Sequence, residues 1–362
     1  MGSIPARENA FWYAGLHEDP LPNYTPGLIP ILKSSLLKLH AKGQTKRAAL
    51  CHDNAVHVAT ELWDMGWGCG YRNFLMACIP LLDQSDQPGY APLLLQTRPP
   101  GVRNLQHWIE DAWKDGFDAE GASQLKNRLT GTKKWIGTAE LYVALTSKRI
   151  PASLVDFPKS DKGAKLLTDW VVKYFTPKDS SGEAKSVNDA LRFEPVISSK
   201  RPPLVLQHAG HSRTIVGYEL SKSGDFNLLL FDPSRRPDRA LRRAALDQSV
   251  GSTSKGTSTQ TSLFERVLHP NRSKRRRESD HAEPESHAAI QKRIRGGEDS
   301  MNSMASEKDD TIDPLKVVKF FRVSPNKLGK HHMYQILWFP MTEPLSDAER
   351  NSCKVVTCDR IV

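Results

Sequence analysis

The stretch Gly66-Trp67-Gly68-Cys69-Gly70-Tyr71-Arg72-Asn73 decides how the rest of this chain is read. A thiol between two glycines stands ahead of Phe74, Leu75 and Cys78, whose spacing predicts a helix ending before Pro80. Such a thiol has three physical advantages. Glycines let a backbone-like substrate come close. A helix N-terminus favours the thiolate and lowers the cysteine pKa. The free N–H groups of a first helical turn can hold an oxyanion. A buried cysteine at a tight turn has the same local signature, so a nucleophile also requires a base elsewhere in the chain.

That base is sought in Gln207-His208-Ala209-Gly210-His211-Ser212-Arg213. Leu204 to Gln207 is a predicted strand. Thr214 to Glu219 and Asn227 to Phe231 are predicted to form a hairpin around Ser221-Lys222-Ser223-Gly224-Asp225. In an antiparallel pair, facing residues have a constant index sum. The midpoint of His211 and Asp232 falls inside the turn, so their side chains are expected near each other across the hairpin. This is how a carboxylate orients an imidazole. Gln207, at the end of the preceding strand, is placed to donate an amide hydrogen to an oxyanion.

Outward from these segments, helices dominate the first half. Thr25-Pro26 opens one, with Leu28, Ile31, Leu32, Leu36 and Leu39 as its apolar stripe and Gly43 at its end. Asn104 to Lys114 carries Trp108, Ala112 and Trp113. Thr138 to Lys148 is another, and Leu166, Leu167, Trp170, Val171 and Tyr174 mark a further one at 3.6 spacing. Strands follow, including Ala152 to Phe157 and Met333 to Phe339, and Ser346-Asp347-Ala348-Glu349 is a capping box. The class is α+β. Residues 1–20 read as a tail without period. A catalytic domain over 21–239 resumes at 311–362. Between them, 240–310 is expected to be a disordered basic insertion, because Ser249 to Ser262 and Asn302 to Asp310 lack any hydrophobic period.

The 362 residues carry 51 Lys+Arg against 41 Asp+Glu, a net charge of +10, and are 38% hydrophobic. No apolar run approaches the ~20 residues of a membrane span, so no membrane partner is expected. Met1-Gly2-Ser3-Ile4-Pro5 does not open a secretory signal. Five scattered cysteines argue for a reducing compartment. Cys51 and Cys78 read as packing residues. Cys353 and Cys358 with His331-His332 fit no common zinc spacing, and neither metal nor other cofactor is expected. Lys274-Arg275-Arg276-Arg277 and Lys292-Arg293-Ile294-Arg295 suggest a bipartite signal for the nuclear import machinery, hence a nuclear and cytoplasmic distribution. No aromatic residues interleave with the basic run, which disfavours a nucleic-acid partner.

Taken together, Trp67 to Asn73, Gly210-His211-Ser212-Arg213-Thr214 and Asp232-Pro233 resemble the papain-like cysteine peptidases of the ubiquitin-fold-modifier-protease family. Lys46 to Cys51, Ile109 to Trp113, Gly116-Phe117-Asp118 and Trp135-Ile136-Gly137 extend the resemblance over Thr25 to Pro237, with Val317 to Val362 beyond it. It implies a papain-like fold in which N-terminal helices pack on an antiparallel sheet. It implies Cys69 as nucleophile, His211 as base, Asp232 as its orienting carboxylate and Gln207 as oxyanion-hole residue. It also implies Asp118 and Glu140 as acids for arginines in a ubiquitin tail, with Trp67 a further substrate contact.

Two departures sort the chain within that family. Members acting on the ubiquitin-fold modifier carry Asp-Pro-His with that histidine as base. Here the triplet is Asp232-Pro233-Ser234, which leaves His211 as base, as in the ubiquitin-directed branch. Relatives on that branch carry zinc fingers, and these residues contain no Cys-x-x-Cys pair. The expected reaction is hydrolysis after the C-terminal glycine of ubiquitin or polyubiquitin. A protease for the ubiquitin-fold modifier or another ubiquitin-like protein is the alternative enzyme. A non-catalytic ubiquitin-binding nuclear adaptor is the alternative of another class.

Overall fold

The computed structural model describes residues 7–158, 163–176, 194–257, 312–331 and 333–361. The chain divides into one unit of Met1–Val250 with Ile312–Val362 and a second of Gly251–Thr311, and the candidate site lies in the first. The strands are β1 (Tyr24–Thr25), β2 (Thr45–Leu50), β3 (His57–Val58), β4 (Ser153–Phe157), β5 (Val196–Ser198), β6 (Leu204–His208), β7 (His211–Ser221), β8 (Phe226–Phe231), β9 (Arg322–Val323), β10 (Tyr334–Trp338) and β11 (Asp359–Arg360). The helices are α1 (Leu28–Ala41), α2 (Cys69–Asp83), α3 (Tyr90–Leu95), α4 (Val102–Lys114), α5 (Ala119–Gln124), α6 (Thr138–Ser147), α7 (Gly163–Phe175), α8 (Arg239–Thr257), α9 (Pro314–Phe321), α10 (Pro325–Leu328) and α11 (Asp347–Ser352).

The expected α+β class holds. The main sheet runs β11-β4-β10-β6-β7-β2-β5, with β8 pairing β7 and β9. It is mixed rather than wholly antiparallel. β11 pairs β4 and β5 pairs β2 in parallel, while the strands around β7 are antiparallel. β6 and β2 follow each other along one edge of β7, and β8 lies along the other. β2 escaped the sequence reading because its burial does not alternate. Lys46 is exposed, whereas Ala48, Ala49 and Leu50 are all buried.

α2 is the central helix. Every residue from Gly70 to Leu81 is buried, the pattern of a helix surrounded on all sides by protein. It runs through Pro80 instead of stopping before it. The proline forfeits one helical hydrogen bond, and burial of Ile79 and Leu81 on either side keeps the turn intact. Asn73 ties α2 to the sheet. Its Nδ2 donates to Ser212 Oγ at 2.8 Å, and its Oδ1 accepts from Thr214 Oγ1 at 2.8 Å.

Three expected boundaries move. Thr25 belongs to β1, facing His57, so α1 begins later, after Gly27. A Cβ on Gly27, at φ +78°, would lie 2.0 Å from the carbonyl oxygen of Ala245. That close approach belongs to α8, which occupies residues expected to open the insertion. Leu241 and Ala245, four apart, supply its buried stripe. The N-terminal residues are also built in, with Trp12 buried and Glu8 paired to Arg103 at 2.6 Å. The rest of the expected insertion, with both basic runs, lies outside the described residues.

Candidate active site

The loop before α2 is held by buried charge. Asp64 is inaccessible and Arg72 nearly so. Arg72 Nε donates to Asp64 Oδ2 at 2.6 Å, and its Nη2 donates to Glu61 Oε2 at 3.2 Å. The Asp64 carbonyl accepts the N–H groups of Trp67 and Gly68. The flanking glycines are needed for close packing as well as substrate approach. A Cβ on Gly68 would fall 2.4 Å from Asp64 Oδ2, and one on Gly70 would fall 2.4 Å from the Ile136 carbonyl oxygen. Cys69 therefore begins a helix whose entry is fixed on both sides.

Across from it, β7 supplies His211 and the residue just after β8 supplies Asp232. His211 Nε2 donates to Asp232 Oδ1 at 3.0 Å, which leaves Nδ1 to serve the Cys69 thiol, with which His211 is also hydrogen-bonded. Asp232 Oδ1 additionally accepts the Ser234 N–H at 3.0 Å and the Ser234 hydroxyl at 2.6 Å. Its Oδ2 accepts from Arg213 Nε at 2.9 Å. The structure thus brings together the three residues that the sequence pointed to, though not directly opposite one another: Asp232 follows Phe231, whose partner is Thr214.

The charges of this group are mutually supporting. Burial disfavours the Cys69 thiolate, but hydrogen bonds with His211 and Ser212 outweigh it and bring the thiol below its ordinary value. Burial likewise disfavours the His211 cation, and the Asp232 and Cys69 partners override it, pushing the imidazole up to about 9. Asp232 is burdened by burial, yet its bonds to His211 and Ser234 hold it well below the carboxylate range. His208 behaves oppositely. It stacks on His331 at 3.7 Å, its Nδ1 bonds the Ala209 carbonyl at 3.0 Å, and burial foremost drives it down to about 4. It stays neutral, and among the described residues it has no carboxylate partner to make it a base.

Cys69, His211 and Gln207 line a cleft of about 220 Å³ with Trp135, Gly137 and Glu140. Gln207 Oε1 accepts from the Thr138 N–H at 2.5 Å and from Thr138 Oγ1 at 3.0 Å. The amide is thereby oriented so that Nε2 is its donor for the cleft. Glu140 reaches the cleft, but its Oε2 also accepts the Gly137 N–H at 2.6 Å and caps α6. Burial, with the charge of Asp118 contributing, raises its pKa. Asp118 sits at the N-cap of α5 with φ 45°, accepting the Gly121 N–H at 3.1 Å. It is near enough to Glu140 to be felt, outside the residues lining the cleft.

Trp67 is corrected from a substrate contact to a scaffold residue. It is only 5% exposed, edge-on to Trp63 and Tyr71, beneath the Arg103 guanidinium. The aromatic that does face the cleft is Trp135, 54% exposed. Its signal was present in the sequence. It immediately precedes the Ile136-Gly137-Thr138 entry to a helix, where a large apolar side chain has no interior to enter.

A thiol lowered by a half-buried imidazole–carboxylate pair, at the head of a central helix packed on a sheet, defines the papain-like class of cysteine peptidase. The family model described as "Peptidase family C78" matches residues 44–267, more than half of the chain, and the chain belongs to that family. It is 43% identical over 201 residues to "Zinc finger-containing ubiquitin peptidase 1" of Macaca fascicularis, covering 55% of this chain and 32% of that protein. It is 33% identical over 174 residues to "Ubiquitin carboxyl-terminal hydrolase mug105" of Schizosaccharomyces pombe, covering 48% of this chain and 62% of that protein. The chain thus spans about a third of the length of the first of these relatives. Among solved structures, "Crystal structure of UfSP from C.elegans" aligns with 58% of this chain and 32% of its own at 15% identity, with a TM-score of 0.35.

Proposed function

We propose that this peptidase is a deubiquitinase that hydrolyses the bond after the C-terminal glycine of ubiquitin. The observation that carries the chemistry is His211 held between Cys69 and Asp232. The Cys69 thiolate attacks the glycine carbonyl carbon. The oxyanion is received by Gln207 Nε2 and the Cys69 N–H. Protonated His211 gives its proton to the leaving amine, the C–N bond breaks and a thioester remains. Neutral His211 then takes a proton from water, whose oxygen attacks the thioester and releases the carboxylate and the thiolate.

The substrate reading is supported by the cleft and by the names of the relatives. Gly137 and Gly210 border a narrow approach suited to a glycine-ended tail. Glu140 places a carboxylate in that cleft despite the chain's net charge of +10. Both relatives named above are described as acting on ubiquitin. The basic runs at Lys274 to Arg277 and Lys292 to Arg295 are proposed to direct nuclear import.

Two alkylating probes, one built on ubiquitin and one on the ubiquitin-fold modifier, test the reading side by side. The ubiquitin probe should form an adduct at Cys69 that Cys69→Ala abolishes. Labelling by the other probe alone would overturn the substrate while leaving the thiol chemistry standing. Binding of ubiquitin without any adduct would favour the adaptor.

A further inference from the structure

We propose that His57 is a positioning residue that holds Asp232 where His211 needs it. The inference rests on the reading of Cys69, His211 and Asp232 as a working relay. β8 ends at Phe231, so the main chain of Asp232 lies just beyond the ladder that aligns the hairpin. Its carbonyl accepts the Arg235 N–H at 3.0 Å, which closes a turn within the segment, and the tie to the rest of the domain comes from His57. His57 Nε2 lies 2.9 Å from the Asp232 carbonyl oxygen. A carbonyl only accepts, so Nε2 carries the proton. The Thr60 N–H donates to the next carbonyl, that of Pro233, at 2.9 Å, and Thr60 Oγ1 donates to the same oxygen at 3.2 Å. Arg236 Nη2 closes the loop on the Thr60 carbonyl at 2.7 Å.

His57 is suited to a fixed donor and unsuited to proton transfer. It is 1% exposed and edge-on to Phe231 at 5.5 Å. Its buried Nδ1 has no hydrogen-bond partner among the described residues, a place for a lone pair but not for an N–H. Burial above all, reinforced by the Arg236 charge and opposed by the Asp232 contacts, drives its pKa down to about 4. The neutral ring therefore persists through the working range, with its proton committed to Asp232. The Asp232 side chain is rotated into place by Ser234 and Arg213. His57 acts one step earlier, on the backbone from which that side chain springs. His57 and Thr60 also precede Cys69 on one continuous segment, so the clamp on the carboxylate and the loop that presents the thiol share a frame.

Two amides of similar polarity separate donation from packing. The glutamine amide nitrogen reaches the place of Nε2, whereas that of asparagine reaches only the place of Nδ1. His57→Gln should keep kcat within about threefold of wild type. His57→Asn should lower kcat at least tenfold with KM within about twofold, and should move the basic limb of the kcat profile, which His211 is expected to set near pH 9 in wild type, to lower pH. Equal behaviour of the two variants, or an unmoved pH profile in His57→Asn, would overturn the proposal. The pH dependence of Cys69 alkylation by iodoacetamide in the wild-type protein is the control. An ordinary thiol pKa there would overturn the relay itself, whereas a lowered one with indistinguishable variants would overturn only the role of His57.

Discussion

Asp232 shares a face of the hairpin with His211 because Val216 bulges out of β7. From Leu220↔Phe226 to Gly217↔Leu229 the ladder has one register, and between Gly217 and Ile215 it shifts by a residue. Carried on without the shift, that ladder would set Asp232 opposite Thr214, whose side chain turns to Asn73 on α2. Side chains alternate, so a slip of one residue moves a whole strand end to the other face. With the bulge, Asp232 follows Phe231↔Thr214 and comes opposite Arg213, with which it pairs at 2.9 Å. His211 lies diagonally beyond Arg213 on the same face and reaches Asp232 at 3.0 Å. The bulge is thus the device that re-aims a carboxylate at an imidazole.

Asp232→Asn tests that relationship with little change of shape. An amide oxygen can still accept from His211 Nε2, but the amide N–H then faces Arg213 and the negative charge that raises His211 is gone, so the thiolate–imidazolium pair is weakened. In serine-protease triads this exchange costs about 10⁴ in kcat. A fall of about 10²-fold to 10⁴-fold is expected here, with a melting temperature within a few degrees of wild type. Assay of a ubiquitin C-terminal substrate and a thermal melt check it, and near-wild-type turnover would remove Asp232 from the mechanism.

The pH dependence follows from the signs of the shifts. Cys69 is lowered and His211 is raised to about 9, so the thiolate–imidazolium pair prevails between the two. Alkylation of Cys69 should therefore already be fast at neutral pH, and turnover should fall as pH rises through about 9. The same shift bears on stability. A histidine raised above its ordinary ~6.5 stabilises the fold fully below that value and ceases to do so through about pH 9. Cys69→Ala removes one of the partners that raise His211. Its ring should titrate below the wild-type value in a proton NMR experiment, and an unchanged titration would show that the thiol is not coupled to it.

The nucleophile, the base and the carboxylate were legible because each sits at an element end marked by glycine or a turn. Cys69 follows Gly68, His211 follows Gly210 and Asp232 precedes Pro233. The exact register was not legible. An index sum treats a hairpin as regular, and Gly217, inside the strand next to Val216, marks where a bulge can fall without giving the pairing that results. α1 was read two residues early because Pro26 follows a good capping residue, whereas Thr25 pairs with His57, a residue far along the chain. The same non-local logic hid β2 and the first turns of α8, whose partners are β7 and the segment from Leu21 to Gly27 that precedes α1. Trp67 and Trp135 exchange places because the resemblance points to the tryptophan nearest Cys69 in the chain, and only packing shows that Trp135 is the one that reaches the cleft.

That exchange makes a paired prediction. Trp135→Ala removes an exposed ring from the cleft, so KM for ubiquitin substrates should rise about fivefold to tenfold while the melting temperature scarcely moves. Trp67→Ala empties a buried site and should cost about 3–5 kcal/mol of stability. Chemical denaturation and steady-state kinetics on both variants check the assignment, and the reverse pattern would restore Trp67 as the substrate contact.

Gln207→Glu isolates the oxyanion donor. A carboxylate still accepts from the Thr138 N–H and hydroxyl, so the local frame is kept. It offers no N–H to a developing oxyanion and brings a like charge beside it. Loss of one such donor costs about 10²-fold to 10³-fold in kcat. A fall of at least that size is expected, with Cys69 alkylation by a small reagent retained. Unimpaired turnover would hand the oxyanion to backbone groups alone.

The acids at the entrance call for substitutions that respect their structural work. Glu140 caps α6 through Gly137, and Asp118 holds a left-handed N-cap on α5, so reversing either charge would disturb a helix end along with any substrate contact. Glutamine at 140 keeps an acceptor for the Gly137 N–H. Asparagine at 118 keeps an acceptor for Gly121 and tolerates positive φ. The pair Asp118→Asn with Glu140→Gln therefore removes charge and little else. If these carboxylates meet arginines of a ubiquitin tail, charge-assisted contacts of about 1.5–3 kcal/mol each are weakened. Cleavage of ubiquitin should fall by about 10-fold to 100-fold, chiefly through KM, with alkylation of Cys69 unchanged. A ubiquitin whose tail arginines are replaced by neutral residues should be cleaved equally poorly by wild type and double variant, because the contact is then missing from the other side. Full activity of the double variant on normal ubiquitin would show that neither acid reads the tail.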